Sequence, residues 1–213
     1  MLRKSILAGT FFVLAQAAHA EPVVIAALGD SLTQGYGLVE PDGFVPQMRD
    51  WLAEQGAEVQ LINAGVSGDT TAGGAARVGW TLTPEVDAMI VALGGNDLLR
   101  GIAPEVARAN LARILDAAET ADVEVLLVGM QAPGNYGPDY KVEFDAIYPE
   151  LAAEFDTLYA EDFFAGLEAG DDPAAAREMM QADGIHPNAE GVERIVAALG
   201  PHVLELAERA AGE

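Results

Sequence analysis

The stretch "VVIAALGDSLTQGYGL", residues 23–38, begins with an unbroken apolar run and turns polar at Gly29, Asp30 and Ser31. A run of Val, Ile, Ala and Leu this short, with no alternation, has the pattern of a parallel strand covered on both faces. The serine then stands where such a strand opens to solvent. It is either a plain turn residue or a nucleophile held at the edge of a sheet.

The pattern recurs. Apolar runs at residues 59–62, 88–93 and 123–128, with a weaker one at 157–159, start roughly 30 to 35 residues apart, the length of a strand plus its crossover helix. Between them, Phe44, Met48, Trp51 and Leu52 share one helical face. Pro104 opens a helix in which Ala107, Leu111, Ile114, Leu115 and Ala118 share another. Val192, Ile195, Val196 and Leu199 mark a last helix, which Gly200 and Pro201 are expected to break or bend. This alternation predicts an α/β fold, a three-layer α/β/α sandwich around a mainly parallel sheet.

In such sheets ligands bind outside the carboxyl ends of the strands, and the polar motifs fall at those ends. "GDS" follows the first run, "NAGVSGDT" (residues 63–70) the second, "GGND" (94–97) the third and "QAPGNYG" (131–137) the fourth. Gly, Asn and Asp favour turns in any case, so position alone decides little.

Scarcity decides more. Beyond residue 20 the chain holds only two serines, Ser31 and Ser67, and two histidines, His186 and His202. His186 lies in "ADGIHPN", three residues after Asp183, with Gly184 between them to let the chain turn. A carboxylate at that spacing can orient one imidazole nitrogen while the other faces a serine. His202 sits at the edge of the C-terminal apolar stripe and reads as structural, and Ser67 reads as a turn residue beside Gly68. A serine mechanism also needs donors for the oxyanion. The Ser31 N–H, the Gly68 N–H and the Asn96 side-chain amide stand at three strand ends and would serve. Asp30, Asp69 and Asp97 read as loop-bracing carboxylates, with Arg77 and Arg100 as their candidate partners.

Taken together, "GDSL" at residues 29–32, "GVSGDT" at 65–70, "GGND" at 94–97 and "DGIHP" at 183–187 resemble the SGNH (GDSL) hydrolases, in order and over nearly the whole chain. The likeness is greatest to the bacterial periplasmic arylesterases with thioesterase and lysophospholipase activity. The resemblance implies a five-stranded flavodoxin-like sheet, Ser31 as nucleophile, Asp183 and His186 as acid and base, and Ser31, Gly68 and Asn96 as the oxyanion hole. It implies no metal and no organic cofactor. Thr33 stands where the α/β-hydrolase elbow G-x-S-x-G requires its second glycine, so that fold is not indicated. The loop from Pro133 to Tyr140, with Tyr136, and the glycines at 35 and 37 are expected to shape an apolar acyl groove. Ala132 replaces a bulkier apolar residue common in the family and is expected to widen it.

Composition bounds the rest. The chain has 213 residues, 51% hydrophobic, with a formal net charge of −23 and no cysteine. So acidic a body repels nucleic acid and anionic membrane surfaces, and no disulfide or thiol chemistry is available. Arg3 and Lys4, an apolar run at residues 6–14 and "AHA" at 18–20 have the layout of a secretory signal peptide, too short to span a membrane. Residues 1–20 are therefore expected to be removed, leaving residues 21–213 as a single domain in the periplasm of a Gram-negative bacterium or outside the cell. The expected partner is a small-molecule ester or lipid, without stable membrane insertion; the sequence leaves the oligomeric state open and is compatible with a monomer. Two rival readings remain: the three aspartates of "GDS", "GDT" and "GND" gathered round a metal in a phosphoesterase, and a domain that binds acylated ligands without turnover.

Overall fold

The computed structural model describes residues 22–167 and 177–212; the signal peptide expected at residues 1–20 lies outside them. Five strands form one sheet: β1 (Val23–Gly29), β2 (Val59–Gly65), β3 (Ala88–Ala92), β4 (Glu124–Val128) and β5 (Leu158–Ala160). Their order is β2-β1-β3-β4-β5, with every neighbouring pair parallel. All five apolar runs are strands, so the sheet is as the sequence predicts. β1, β3 and β4 are buried almost throughout, whereas β2 is an edge strand in which only Leu61 is fully covered.

The helices are α1 (Ser31–Gln34), α2 (Phe44–Glu54), α3 (Thr71–Thr81), α4 (Gly95–Arg100), α5 (Pro104–Thr120), α6 (Pro138–Asp145), α7 (Ile147–Glu154) and α8 (Ala189–Ala211). The chain leaves β1 in one direction across the sheet, to β2, and returns past it to β3. Because parallel crossovers are right-handed, that reversal puts α2 on one face and α3 on the other. α8 packs beside α2, and α5 beside α3, completing the two outer layers. The reversal also opens a crevice between the carboxyl ends of β1 and β3, where doubly wound sheets take their ligands.

The expected break at Gly200 and Pro201 does not occur. α8 runs unbroken from Ala189 to Ala211 with Pro201 inside it. The proline removes one hydrogen bond, but its ring faces solvent, and buried side chains on both sides of it, Val196 and Leu199 before and Val203 and Leu206 after, fasten the helix to the sheet. Gly200 lets the Trp51 ring lie directly on the backbone, with 2.7 Å between the ring and where a Cβ would stand. Tertiary burial outweighs the local breaker. Among the described residues no helix is long and apolar enough to cross a membrane.

Candidate active site

Gly29, Gly65 and Ala92 end β1, β2 and β3 in matched register, so the three loops that follow start from one level. The first loop is a tight strand-to-helix turn. Asp30 is buried and caps α1, its Oδ1 accepting from the Leu32 N–H at 3.0 Å. This leaves Ser31 as the first residue of the helix, where its N–H has no intrahelical acceptor.

His186 reaches Ser31 from the far end of the chain. Its Nε2 stands 2.8 Å from Ser31 Oγ and its Nδ1 2.7 Å from Asp183 Oδ2. Asp183 Oδ1 meanwhile accepts from the backbone N–H groups of Ile185 and His186, at 2.9 and 3.0 Å. The positive φ of Gly184, +69°, lets the chain fold back over the carboxylate in this way. The hydrogen bond from the imidazole, aided by the two backbone donors, lowers the Asp183 pKa to about 2. An ionised Asp183 accepts the Nδ1 proton, and the neutral imidazole then offers Nε2 as acceptor to the serine hydroxyl.

The oxyanion candidates flank this pair. Asn96 is in the first turn of α4, and its Nδ2 donates one hydrogen to Asp30 Oδ2 at 3.1 Å. The second amide hydrogen makes no hydrogen bond among the described residues. Burial raises the Asp30 pKa, opposed by the Leu32 and Asn96 donors. Gly68 has φ +85° and its N–H makes no hydrogen bond among the described residues. Its carbonyl, in the peptide that follows, accepts from Arg100 Nη2 at 2.8 Å, which ties this loop to α4.

The braces sort out the remaining expectations. Arg77 pairs with Asp69 at 2.7 Å and also donates to the carbonyls of Ala64 and Gly29, tying the ends of β2 and β1 together. Among the described residues Arg100 does not pair with an acid; it serves the Gly68 carbonyl instead. Asp97 is fully buried and accepts from both the N–H and the hydroxyl of Thr71, at 2.8 and 2.7 Å. Ser67 donates to Gln34 Oε1 at 2.9 Å, as a turn residue would. The three aspartates of the metal reading thus have separate protein partners, and no cluster of three or more metal-ligating side chains forms among the described residues. This donor set does not fit a metal centre.

Ser31, Asn96 and His186 open into a cavity of about 550 Å³ whose walls are mainly apolar. Pro133 and Tyr136 line it, as the sequence suggests. Leu98 and Leu99 of α4, Met130 after β4, Phe164, Leu167, Met180 and Ile185 line it too, and sequence reasoning missed them. Met130 alone carried a usable signal, its place just past a strand end. Three expectations for the groove do not hold. Gly35 and Gly37 lie away from its walls, and Tyr140 turns aside to donate to the Ile102 carbonyl at 2.8 Å. Ala132 is buried, with its N–H donating to Asp145 Oδ1 at 2.8 Å, and is not among the residues that line the cavity.

Comparison with known proteins points the same way. The chain is 36% identical over 201 residues to "Esterase TesA" of Pseudomonas aeruginosa, covering 94% of this chain and 97% of that one. It is 37% identical to "Thioesterase 1/protease 1/lysophospholipase L1" of Escherichia coli K12, over 81% of this chain and 78% of the other. Among solved structures, AlinE4, an SGNH-hydrolase family esterase, aligns with a TM-score of 0.72 at 41% identity, covering 88% of this chain and 98% of that chain. The family model described as "GDSL-like Lipase/Acylhydrolase family" matches residues 27–194. Spanning the Ser31 turn, the Gly68 and Asn96 loops and the Asp183–His186 segment, that match establishes that the chain belongs to the GDSL-like lipase/acylhydrolase family.

Proposed function

We propose that the chain hydrolyses carboxylic esters through an acyl-enzyme on Ser31. The observation that carries this is the continuous line from Asp183 Oδ2 through the His186 imidazole to Ser31 Oγ, with contacts of 2.7 and 2.8 Å. As Ser31 Oγ bonds to the substrate carbonyl carbon, its proton passes to His186 Nε2. Asp183 holds the ring and balances the imidazolium charge. The carbonyl oxygen, now negative, is received by the Ser31 and Gly68 N–H groups and the free Asn96 amide hydrogen. When the tetrahedral adduct collapses, the bond to the alcohol, phenol or thiol breaks and His186 returns the proton to that leaving group. Water then repeats the sequence on the acyl-serine and releases the acid.

The apolar cavity takes the acyl group. Aryl esters, short to medium acyl esters, thioesters and lysophospholipids all fit that description, with Pro133 and Tyr136 contributing to its wall. Residues 1–20 are a secretory signal, residues 21–213 one domain, and the site of action the periplasm or the cell exterior. The similarity to an esterase and a thioesterase/lysophospholipase supports this reading. A series of p-nitrophenyl esters, assayed with the wild type, Ser31→Ala and His186→Ala in the presence of EDTA, tests it. Turnover should persist in EDTA and vanish in both variants. Near wild-type turnover in either variant, or cleavage of phosphate esters alone with a need for metal, would overturn it.

A further inference from the structure

The hydrogen bond between Ser31 and His186 joins groups 155 positions apart in the chain. No covalent link keeps their two loops at that separation, and a misplacement of about 1 Å in such a pair can cost about 10²-fold in rate. The geometry points to Gln181 as the positioning residue that sets it, an amide latch between the loop carrying the nucleophile and the loop carrying the base. This inference rests on the roles proposed above for Ser31 and His186.

Both hydrogens of the Gln181 amide nitrogen are used, one on each loop. Nε2 donates to the Tyr36 carbonyl at 2.8 Å and to the Pro187 carbonyl at 2.9 Å. Each acceptor is one step from a reacting group. The Tyr36 N–H donates to the Ser31 carbonyl at 3.1 Å, and Pro187 follows His186 directly. The Gln181 backbone adds a third tie, its N–H donating to the His186 carbonyl at 2.8 Å. The latch also governs what covers the imidazole, since the Tyr36 ring lies 4.7 Å from the His186 ring, inclined at 38°.

Gly37 completes the device. Its φ of +77° already favours glycine, and the Gln181 side-chain oxygen occupies the place where a Cβ on residue 37 would begin. Any side chain there would push the amide out. The latch is half-exposed, so its bonds compete with water and add little to global stability. Coarser anchoring comes from elsewhere: Gln47 Nε2 bridges the Asp42 carbonyl at 2.8 Å and the Ala189 carbonyl at 3.1 Å, tying the start of α8 to the entry of α2. Removing the Gln181 amide should therefore loosen the Ser31–His186 contact without unfolding the protein.

The test is a double-mutant cycle on a p-nitrophenyl ester, using Gln181→Ala, Gly37→Ala and the double variant, with thermal melts of each and Ser31→Ala as control. Gln181→Ala should lower kcat about tenfold or more while KM stays within about twofold, and its melting temperature should stay close to that of the wild type. Gly37→Ala, which also carries a backbone cost at its positive φ, should show a comparable loss alone and a clearly smaller further loss in the Gln181→Ala background, because the amide it displaces is already gone. Gln181→Ala with near wild-type kcat, a loss confined to KM, or single losses that multiply in the double variant would each overturn the latch. Residual activity in Ser31→Ala would instead strike at the nucleophile assignment, so the two failures are distinct.

Discussion

Ser31, His186 and Asp183 derive their chemistry from their neighbours. The Asp183 pKa, near 2 in the folded chain, lies below the unfolded value because His186 and two backbone N–H groups stabilise the carboxylate. The sign follows: this contribution to stability is complete above about pH 4 and is lost as pH falls through 2. Above about pH 4 Asp183 stays ionised, so it contributes no acid limb to kcat/KM there. A general base must be unprotonated to act, so kcat/KM should fall toward acid pH, and a rate flat down to strongly acidic pH would contradict histidine as base. Asp183→Asn should keep the fold but lower kcat by about 10²–10⁴-fold, since the amide no longer selects the Nδ1–H tautomer. Asp30 acts at one remove. Replacing it with Ala frees the Asn96 amide to rotate, and kcat should fall by about 10-fold up to the 10²–10³ expected for a lost oxyanion donor. An unchanged kcat would show that Asn96 needs no support.

Elements place these residues through close backbone packing at the strand ends. Gly65 closes β2 directly against α1: a Cβ there would run into the Gln34 backbone and come within 2.9 Å of the Asp30 carbonyl. Gly65→Ala should cost about 1–3 kcal/mol in a denaturant melt and reduce turnover as well, because the obstacle is the nucleophile turn itself. Much of this scale was legible in the sequence. Val- and Ile-rich runs without alternation can hardly be anything but covered strands, and the stripe beginning at Val192 could only be a helix. What was not legible has physical causes. α1 and α4 are too short to show a period. β2 continues through Asn63 to Gly65 because its ladder with β1 continues, although its apolar character stops earlier. Pro201 is tolerated because burial of α8 offsets a local penalty that sequence alone registers in full.

At the scale of the whole molecule, the site is a meeting of distant segments over one crevice. The triad could be read because serine and histidine are scarce here and because the motifs that hold them come in a fixed order. The cavity wall could not, because Leu98, Phe164 and Met180 are apolar residues like those of the core until the fold shows which of them face a void. Arg100 illustrates the same limit for polar residues, since its proper acceptor, the Gly68 carbonyl, is a backbone atom that no pattern announces. A formal net charge of −23 also acts at this scale. Self-repulsion favours expanded states, and it is screened over about 10 Å at 0.1 M salt. The melting temperature should therefore rise between low and moderate ionic strength. No rise would mean that the repulsion is already balanced locally by ion pairs.

The most direct measurement of the central claim is the site of covalent capture. An alkyl p-nitrophenyl phosphonate mimics the tetrahedral adduct and stays on the atom that attacks it. Intact mass and peptide mapping after treatment should give one adduct per chain, on Ser31, with activity lost in proportion and no labelling in His186→Ala. An adduct on Ser67, or inactivation with Ser31 unmodified, would contradict the account.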